Sequence, residues 1–291
     1  MIRIVVDSTA DMPEELKDQF SIVPLNVNFG DEQYTDGVTI DHKTFYEKLE
    51  TSSKLPTTSQ PAPDAYARVF EAARQAGDTL VVLCVSSGIS GTYQSAMIAA
   101  QDYPDNVHVV DTQHVANAFG ILAEYALNLA QQGKSAQEIV DAILAEREHV
   151  QLFALLDTLE YLQKGGRISK TAAFAGTLLS LKPIVCMRDG VLGMLGKARG
   201  MKQGQQLLMK EMLDAGIDLD KPYLMGYTGL SDELMQKFME TSAEIWSGKD
   251  VRSVPLCPVV GTHAGPGAVV AAFFKKRLTG ICRQPRFLFW L

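Results

Sequence analysis

Residues 82–96 read VLCVSSGISGTYQSA, and this stretch contains the junction that decides the fold. An apolar run of β-type residues, 82–85, ends in a loop of Ser, Gly and Thr, and a segment with Ala and Met at helical spacing follows. A loop between the end of a strand and the start of a helix can present backbone N–H groups and hydroxyls to an anion. The stretch therefore predicts a strand–loop–helix unit with an anion-binding loop at its centre.

Strand-like and helix-like segments alternate through the first half of the chain. The strand-like runs are 2–6, 22–29, 80–85 and 107–111, and helical segments fall at 13–20, 44–50, 63–75, 92–101 and 117–132. This alternation predicts a parallel sheet between two layers of helices. A helix over 135–149, which begins with a capping box of Ser135 and Glu138, closes this half.

The second half mixes a hairpin with helices. Strands are predicted at 153–156, 184–187, 223–227 and 251–260, helices at 158–164, 171–181, 201–215 and 232–246, and a hairpin at Asp189-Gly190. This pattern predicts a mixed sheet covered on one face. The expected fold class is therefore α/β with two domains, a three-layer α/β/α domain with a parallel sheet at 1–152 and a two-layer α/β domain with a mixed sheet at 153–291.

Composition excludes several classes of protein. The chain has 291 residues, of which 46% are hydrophobic and 21% are charged, as expected of a globular protein with a sizeable core. Its net charge of -7 argues against a nucleic-acid partner. No window approaches 18 consecutive apolar residues, and the opening MIRIVVDST reads as a strand and not as a signal peptide, so a cytoplasmic location is expected. Four cysteines, Cys84, Cys186, Cys257 and Cys282, lack metal-site spacing, so no metal is expected.

Four polar loops follow apolar runs: DSTAD (7–11), PTTSQPAPD (56–64), the loop at 86–93, and GTHAGPGA (261–268) after the last clear strand. Loops at the carboxyl ends of parallel strands converge on one crevice, so the first and third should meet. Each loop also has a simpler interpretation. DSTAD can be a helix cap before Pro13, PTTSQP a cap and linker, and SSGISGT an ordinary tight turn.

The residues in these loops favour binding over catalysis. A nucleophile elbow, a P-loop and a dinucleotide fingerprint are all missing from the sequence. Ser90 would need a neighbouring base to act as a nucleophile, and His263 is the candidate. Hydroxyls, main-chain donors, His263 and Arg167 suit the holding of a carboxylate or phosphate. His263 can equally be structural and Arg167 merely solvated, and an acyl hydrolase or phosphotransferase using Ser90 remains the alternative function.

Six motifs in order closely resemble the DegV family of bacterial fatty-acid-binding proteins. They are DSTAD, TSQPAPDAY, SSGISGTYQSA, LDTLEYLQKGGRIS, KPI and GTHAGPGA, and the resemblance extends from about residue 1 to about residue 274. It implies one long-chain fatty acid, such as palmitate, bound between two domains. The carboxyl group would be held by Thr58 and Ser90, with Ser59, Gly91 and His263 close to it.

The resemblance also implies what the protein does with this ligand. It would be a carrier without catalytic machinery or cofactor, which presents the acid to a separate fatty acid kinase for acyl-phosphate formation in phospholipid metabolism. Arg167, Lys197 and Arg199 would face that partner, and membrane contact would be at most transient. Small and aliphatic residues in the segment AAFAGTLLSLKPIV (172–185) would suit the lining of an acyl slot.

The sequence departs from the family pattern in three places. His114 stands where the family commonly has a small residue, Gly200 replaces the usual hydroxyl residue after Arg199, and the basic and aromatic tail 275–291 does not resemble the family's ending. The first departure affects a wall of the site, and the second weakens the inference about the partner.

Overall fold

The structure is a computed structural model that describes residues 1–169, 181–246 and 248–277. Its strands are β1 (Ile2–Asp7), β2 (Ser21–Val23), β3 (Asn26–Phe29), β4 (Glu32–Thr35), β5 (Thr57–Ser59), β6 (Thr79–Cys84), β7 (Val107–Asp111), β8 (Val150–Leu155), β9 (Leu181–Arg188), β10 (Val191–Arg199), β11 (Tyr223–Tyr227), β12 (Ser253–Pro255) and β13 (Val269–Phe274). Its α-helices are α1 (Glu14–Lys17), α2 (His42–Thr51), α3 (Pro63–Ala76), α4 (Thr92–Ala100), α5 (Ala116–Gln131), α6 (Ala136–Glu146), α7 (Glu160–Lys164), α8 (Gly200–Ala215), α9 (Glu233–Thr241) and α10 (Pro258–Ala264).

The first half forms a four-stranded parallel sheet in the order β2-β1-β6-β7. Helices α3 and α4 pack on one face, and α5 and α6 pack on the other. Because both faces are covered, β6 is buried along its length from Leu80 onward, which explains why it reads as a continuous apolar run. The predicted three-layer α/β/α arrangement is confirmed.

The second half forms a six-stranded mixed sheet in the order β10-β9-β8-β13-β11-β12. The pair β11–β12 is parallel and the other pairs are antiparallel. Helices α8 and α9 cover its outer face, and its inner face packs against α5 of the first half. The predicted two-layer mixed domain is confirmed. The division at residue 152 stays a prediction, and that residue lies within β8.

Helix α5 joins the two sheets. It contacts β1 on one side and β8, β11 and β13 on the other. Buried Asn117 donates from Nδ2 to the carbonyl oxygens of Leu224, at 2.8 Å, and Val270, at 3.1 Å. This single amide therefore ties α5 to two strands of the second sheet.

A small third sheet, in the order β4-β3-β5, corrects the prediction for residues 22–29. That segment is two strands, β2 and β3, which belong to different sheets. Pro24 lies between them and has no N–H to donate to a ladder, so the pairing of β2 ends there. The loop predicted at 56–64 contains β5, in which Thr58 is paired with Val27 of β3.

The prediction was wrong near the carboxyl end of the described chain. The strand predicted at 251–260 is a three-residue strand, β12, followed by helix α10, in which Pro258 occupies the first turn. Gly261–Ala264 are therefore helical, and Gly265, at φ +69°, follows the helix end. The central strand β13, which is buried at every residue, was not predicted. The helix predicted at 171–181 lies, apart from Leu181, outside the described residues, as do Cys282 and most of the tail.

Candidate functional site

A cavity lies between the parallel sheet and the mixed sheet. Its lining combines residues of the first half of the chain with residues of the mixed sheet. Thr9 and Val85 line it just beyond the carboxyl ends of β1 and β6. In the sheet order β2-β1-β6-β7, the chain passes from β1 to β2 on one side and from β6 to β7 on the other. The carboxyl ends of β1 and β6 therefore form the crevice in which such sheets bind ligands. The expected convergence of the first and third polar loops is confirmed.

Most of the cavity wall is aliphatic. Leu152, Ala154, Val185 and Val270 come from the inner face of the mixed sheet, and Ala116 comes from the start of α5. In the strand register Val270, Ala154 and Val185 form one row across β13, β8 and β9. Ala154 is the smallest side chain of this row and therefore leaves the most room there.

Four polar lining residues gather near one another, and each comes from a different part of the chain. Thr58 and His263 are directly hydrogen-bonded, with 2.9 Å between Oγ1 and Nε2. Arg167 donates from Nε to the carbonyl oxygen of Ile89, next to Ser90, at 3.1 Å. The structure thus brings together Thr58, Ser90, Arg167 and His263, which we call the polar end of the cavity.

Local structure explains how each of these side chains is presented. Thr58 is the middle residue of β5, and His263 lies in the last turn of α10. Ser90 precedes α4, and its Oγ lies 2.8 Å from Oγ1 of Thr92. Arg167 follows α7 after a glycine at φ +71°, Gly166, which turns the chain back so that the Arg167 N–H bonds to the carbonyl oxygen of Leu162.

The polar end carries uncompensated positive charge. Burial, followed by the positive charge of Arg167, lowers the pKa of His263 to about 4, so its imidazole is neutral at pH 7. Burial also lowers the pKa of Arg167 from its ordinary value, but the guanidinium remains protonated. Within the described ranges no carboxylate lies at ion-pair distance from Arg167. A cation with neutral donors around it suits a bound anion.

The SSGISGT loop is held by contacts from the rest of the chain. Ser86 donates from Oγ to the carbonyl oxygen of Gly190, at the tip of the β9–β10 hairpin, at 2.6 Å. A Cβ at Gly88 would overlap that same backbone oxygen, so glycine is required for the close approach. Gln60, after β5, donates to Ser95 Oγ at 2.9 Å and ties the second loop to the first turn of α4, which follows the third loop.

The remaining predicted site residues lie outside the polar end. Ser59 and Gly91 are next to Thr58 and Ser90 in the chain but do not line the cavity. Lys197 and Arg199 are exposed on β10. Arg167, grouped with them as a residue facing a partner, is half-buried in the cavity wall.

Sequence reasoning missed other parts of the wall. Val270 on β13, Ala154 on β8 and Leu162 on α7 were not selected, although the run VVAAFF at 269–274 carried the signal of a fully buried strand. Of the segment 172–185, Val185 lines the cavity and residues 172–180 lie outside the described part. In the described part of the chain no group of three or more His, Cys, Asp or Glu residues is arranged to hold a metal ion. None of the helices described is long and apolar enough to cross a bilayer.

The fold and the cavity define a two-domain α/β protein with an apolar slot that ends in polar side chains and a guanidinium group. A family profile described as "Uncharacterised protein, DegV family" matches residues 1–276. A DegV domain-containing protein of Caldanaerobacter subterraneus subsp. tengcongensis is 34% identical over 280 residues, which are 95% of this chain and 99% of that protein. The chain belongs to the DegV family.

Solved structures share this architecture. A DegV family protein from Thermus thermophilus, described for its fatty acid binding, is 31% identical and superposes with a TM-score of 0.85 over 94% of this chain and 99% of that one. The Fatty Acid Kinase (Fak) B3 protein of Streptococcus pneumoniae, loaded with linoleic acid, is 26% identical, with a TM-score of 0.83 over 95% of this chain and 100% of that one.

Proposed function

We propose that this protein binds one long-chain fatty acid in the cavity, with the carboxylate at the polar end. The observation that carries this proposal is the aliphatic slot that ends at the Thr58–His263 pair, beside the guanidinium of Arg167, which has no carboxylate at ion-pair distance among the described residues. The fatty acids bound by the Thermus thermophilus and Streptococcus pneumoniae proteins support it, since both share the fold over nearly their whole length.

The acyl tail supplies most of the affinity. Burial of a methylene is worth about 0.8 kcal/mol, so a tail of about fifteen methylenes contributes roughly 12 kcal/mol. Lost translational and rotational freedom offsets this by about 4–15 kcal/mol. The head group therefore fixes the position of the ligand along the cavity. It also determines the net binding free energy, because the other two contributions nearly cancel.

Thr58 and Ser90 are proposed to hold the carboxylate. A hydroxyl can donate to a carboxylate and accept from a neighbour in the same geometry. Ser90 can accept from the Thr92 hydroxyl while it donates to the ligand, and Thr58 can do the same with neutral His263. Arg167 would add charge to this hydrogen bonding, because hydrogen bonds between ionised groups are about twice as strong as neutral ones.

A carrier role fits this arrangement better than hydrolysis. The nearest hydrogen-bond partner of Ser90 Oγ is the Thr92 hydroxyl, which is no base, and Nε2 of His263 is engaged by Thr58. We further propose that the protein is cytoplasmic and presents the carboxyl group to a separate fatty acid kinase, as the name of the Streptococcus pneumoniae relative suggests. Lys197 and Arg199, exposed on the edge strand β10, would meet that kinase.

The test is a binding titration with delipidated protein and a long-chain fatty acid, read by native mass spectrometry. Thr58→Val should weaken binding about tenfold to a hundredfold, because a hydrogen bond to a charged group is worth about 1.5–3 kcal/mol. Thr57→Val is the matched control, since Thr57 is exposed on the same strand and does not line the cavity. Failure of the wild-type protein to take up any acyl chain would refute the proposal.

A further inference from the structure

The polar end lies on a seam between two parts of the chain. On one side are α2 and the small sheet β4-β3-β5, and on the other are α10 and the segments that follow β11 and β12. Val259 of α10 packs in one apolar cluster with Val27 of β3 and Phe45 of α2. The Thr58–His263 hydrogen bond crosses this seam, so anything that opens the seam separates the two residues.

His42 at the start of α2 bridges the seam with both ring nitrogens. Nδ1 lies 2.8 Å from the carbonyl oxygen of Leu256, and Nε2 lies 2.8 Å from the carbonyl oxygen of Gly229. Both contacts tie α2 to the segments that follow β11 and β12, and the ring is in edge contact with Tyr46 and Tyr227.

Two buried carboxyl groups, Asp11 and Asp36, lie at the same seam. Asp11 accepts from the backbone N–H of Cys257 at 2.8 Å, and Asp36 accepts from the Ser8 hydroxyl at 2.8 Å. The thiol of Cys257 interacts electrostatically with both carboxyl groups. Asp11 is 6% exposed and Asp36 is 2% exposed. The second oxygen of each, Oδ2 of Asp11 and Oδ1 of Asp36, has no hydrogen-bond partner among the described residues.

No positive group compensates this pair. Throughout the described chain neither carboxyl group has a Lys, Arg or His at ion-pair distance, and Lys17 acts on both only from farther away. The other titratable groups that act on the pair are Asp7, the Cys257 thiol and Tyr46. Two adjacent buried carboxylates without a cation are unfavourable, and a proton on one of them removes the repulsion.

We propose that this seam is proton-linked: a proton held by the Asp11–Asp36 pair keeps α2 and the small sheet against α10, and its loss loosens the hold on the ligand. The second half of this inference rests on the proposed function. The first half concerns the seam alone and can be tested on protein without ligand.

The direction of the pH dependence follows from the groups themselves. Burial raises the pKa of Asp36 to about 7 and that of Asp11 well above its ordinary value. A carboxyl group with a raised folded-state pKa costs stability as pH rises from its unfolded value through its folded value. His263 acts oppositely, since acidification towards pH 4 charges it beside Arg167. The hold should be tightest in mildly acidic solution.

The first measurement is the dissociation rate of a fluorescent long-chain fatty acid between pH 6 and pH 8. We expect the wild-type rate to rise about tenfold, which corresponds to about 1.4 kcal/mol. Asp36→Asn keeps the shape of the side chain and cannot ionise, so its rate should change much less over this range. His42→Gln should release faster at pH 6. Asp31→Asn, on the exposed turn of the same hairpin, is the matched control and should follow the wild type.

The second measurement separates the seam from the ligand. Hydrogen exchange of ligand-free protein should show that the protection of α2 and β5 falls with rising pH relative to α3, and that Asp36→Asn abolishes this fall. Exchange and dissociation that do not change with pH, or the same profile in Asp36→Asn and the wild type, would overturn the proton linkage. Exchange that responds to pH in a protein that never takes up an acyl chain would support the linkage and refute the proposed function.

Discussion

Gly165→Ala should weaken ligand binding without changing a polar atom. A Cβ at Gly165 would overlap Nδ1 of His263 and lie 3.0 Å from Cε1 of the same ring. The backbone at Gly165 has φ −73°, which alanine adopts freely, so the substitution adds no conformational strain. The added methyl group therefore acts chiefly by pushing the imidazole away.

The size of the effect follows from these distances. The ring must withdraw by roughly 1 Å to reach an ordinary contact of about 3.5 Å. A displacement of this size would disrupt the 2.9 Å Thr58–His263 hydrogen bond, because such bonds keep their strength over only a few tenths of an ångström. A lost bond that leaves buried groups unsatisfied costs about 1–3 kcal/mol, so affinity should fall by roughly 5-fold to 150-fold.

The assay is a fluorescence titration of wild type, Gly165→Ala and Gly193→Ala with the same fatty acid. Gly193, on β10, is the control, because a Cβ there meets nothing within 4 Å. The imidazole resonances of His263 should move in Gly165→Ala and stay unchanged in Gly193→Ala. Equal affinities of the two variants would refute the idea that the position of His263 governs ligand binding.

Three further substitutions test the cavity, the domain contact and a buried histidine. Ala154→Leu should displace about three methylenes of the bound acyl tail and weaken the binding of long acids by about 2 kcal/mol. Acids too short to reach Ala154 should keep their affinity. Binding titrations with acids of increasing chain length would reveal the difference. Asn117→Ala removes two hydrogen bonds to strand carbonyls and should cost about 1–3 kcal/mol in urea unfolding, whereas exposed Asn128→Ala on the same helix should cost little. Burial lowers the pKa of His114 to about 4, so the free energy of unfolding should fall by about 3 kcal/mol as the pH drops from 6.5 to 4. His114→Gln should flatten this dependence of stability on pH. An unchanged dependence would contradict the lowered pKa of His114.

The parallel sheet was predictable because its central strands, β1 and β6, are buried on both faces. Both strands contain short apolar runs that end at polar loops, so their positions and the convergence of their loops follow from the pattern. The small sheet was not predictable in the same way. Three residues, as in β5, are too few to show a period, and their pairing depends on distant β3.

The polar end shows where sequence reasoning stops. Helix α10 lies within an apolar stretch that also fits a strand, and short runs of this kind do not distinguish the two. The family resemblance placed Arg167 among the residues that face a partner, and the loop itself left open whether Arg167 holds an anion or is solvated. It turns inward because its guanidinium donates to the carbonyl oxygens of Ile89 and Gly165, which are main-chain acceptors without any sequence signature.

The walls of the cavity belong to the largest apolar cluster of the described chain. Leu152, Val185 and Val270 line the cavity and also pack within the cluster that joins both halves of the molecule. A bound acyl tail would thus pack against these residues as an aliphatic side chain of the core does, although it can dissociate. Loading and folding then form one equilibrium, and a lipid at a thousand times its Kd adds about 4 kcal/mol of stability. We expect that in a cell the abundance of this protein follows the supply of its lipid, because unloaded copies unfold more often and are degraded sooner.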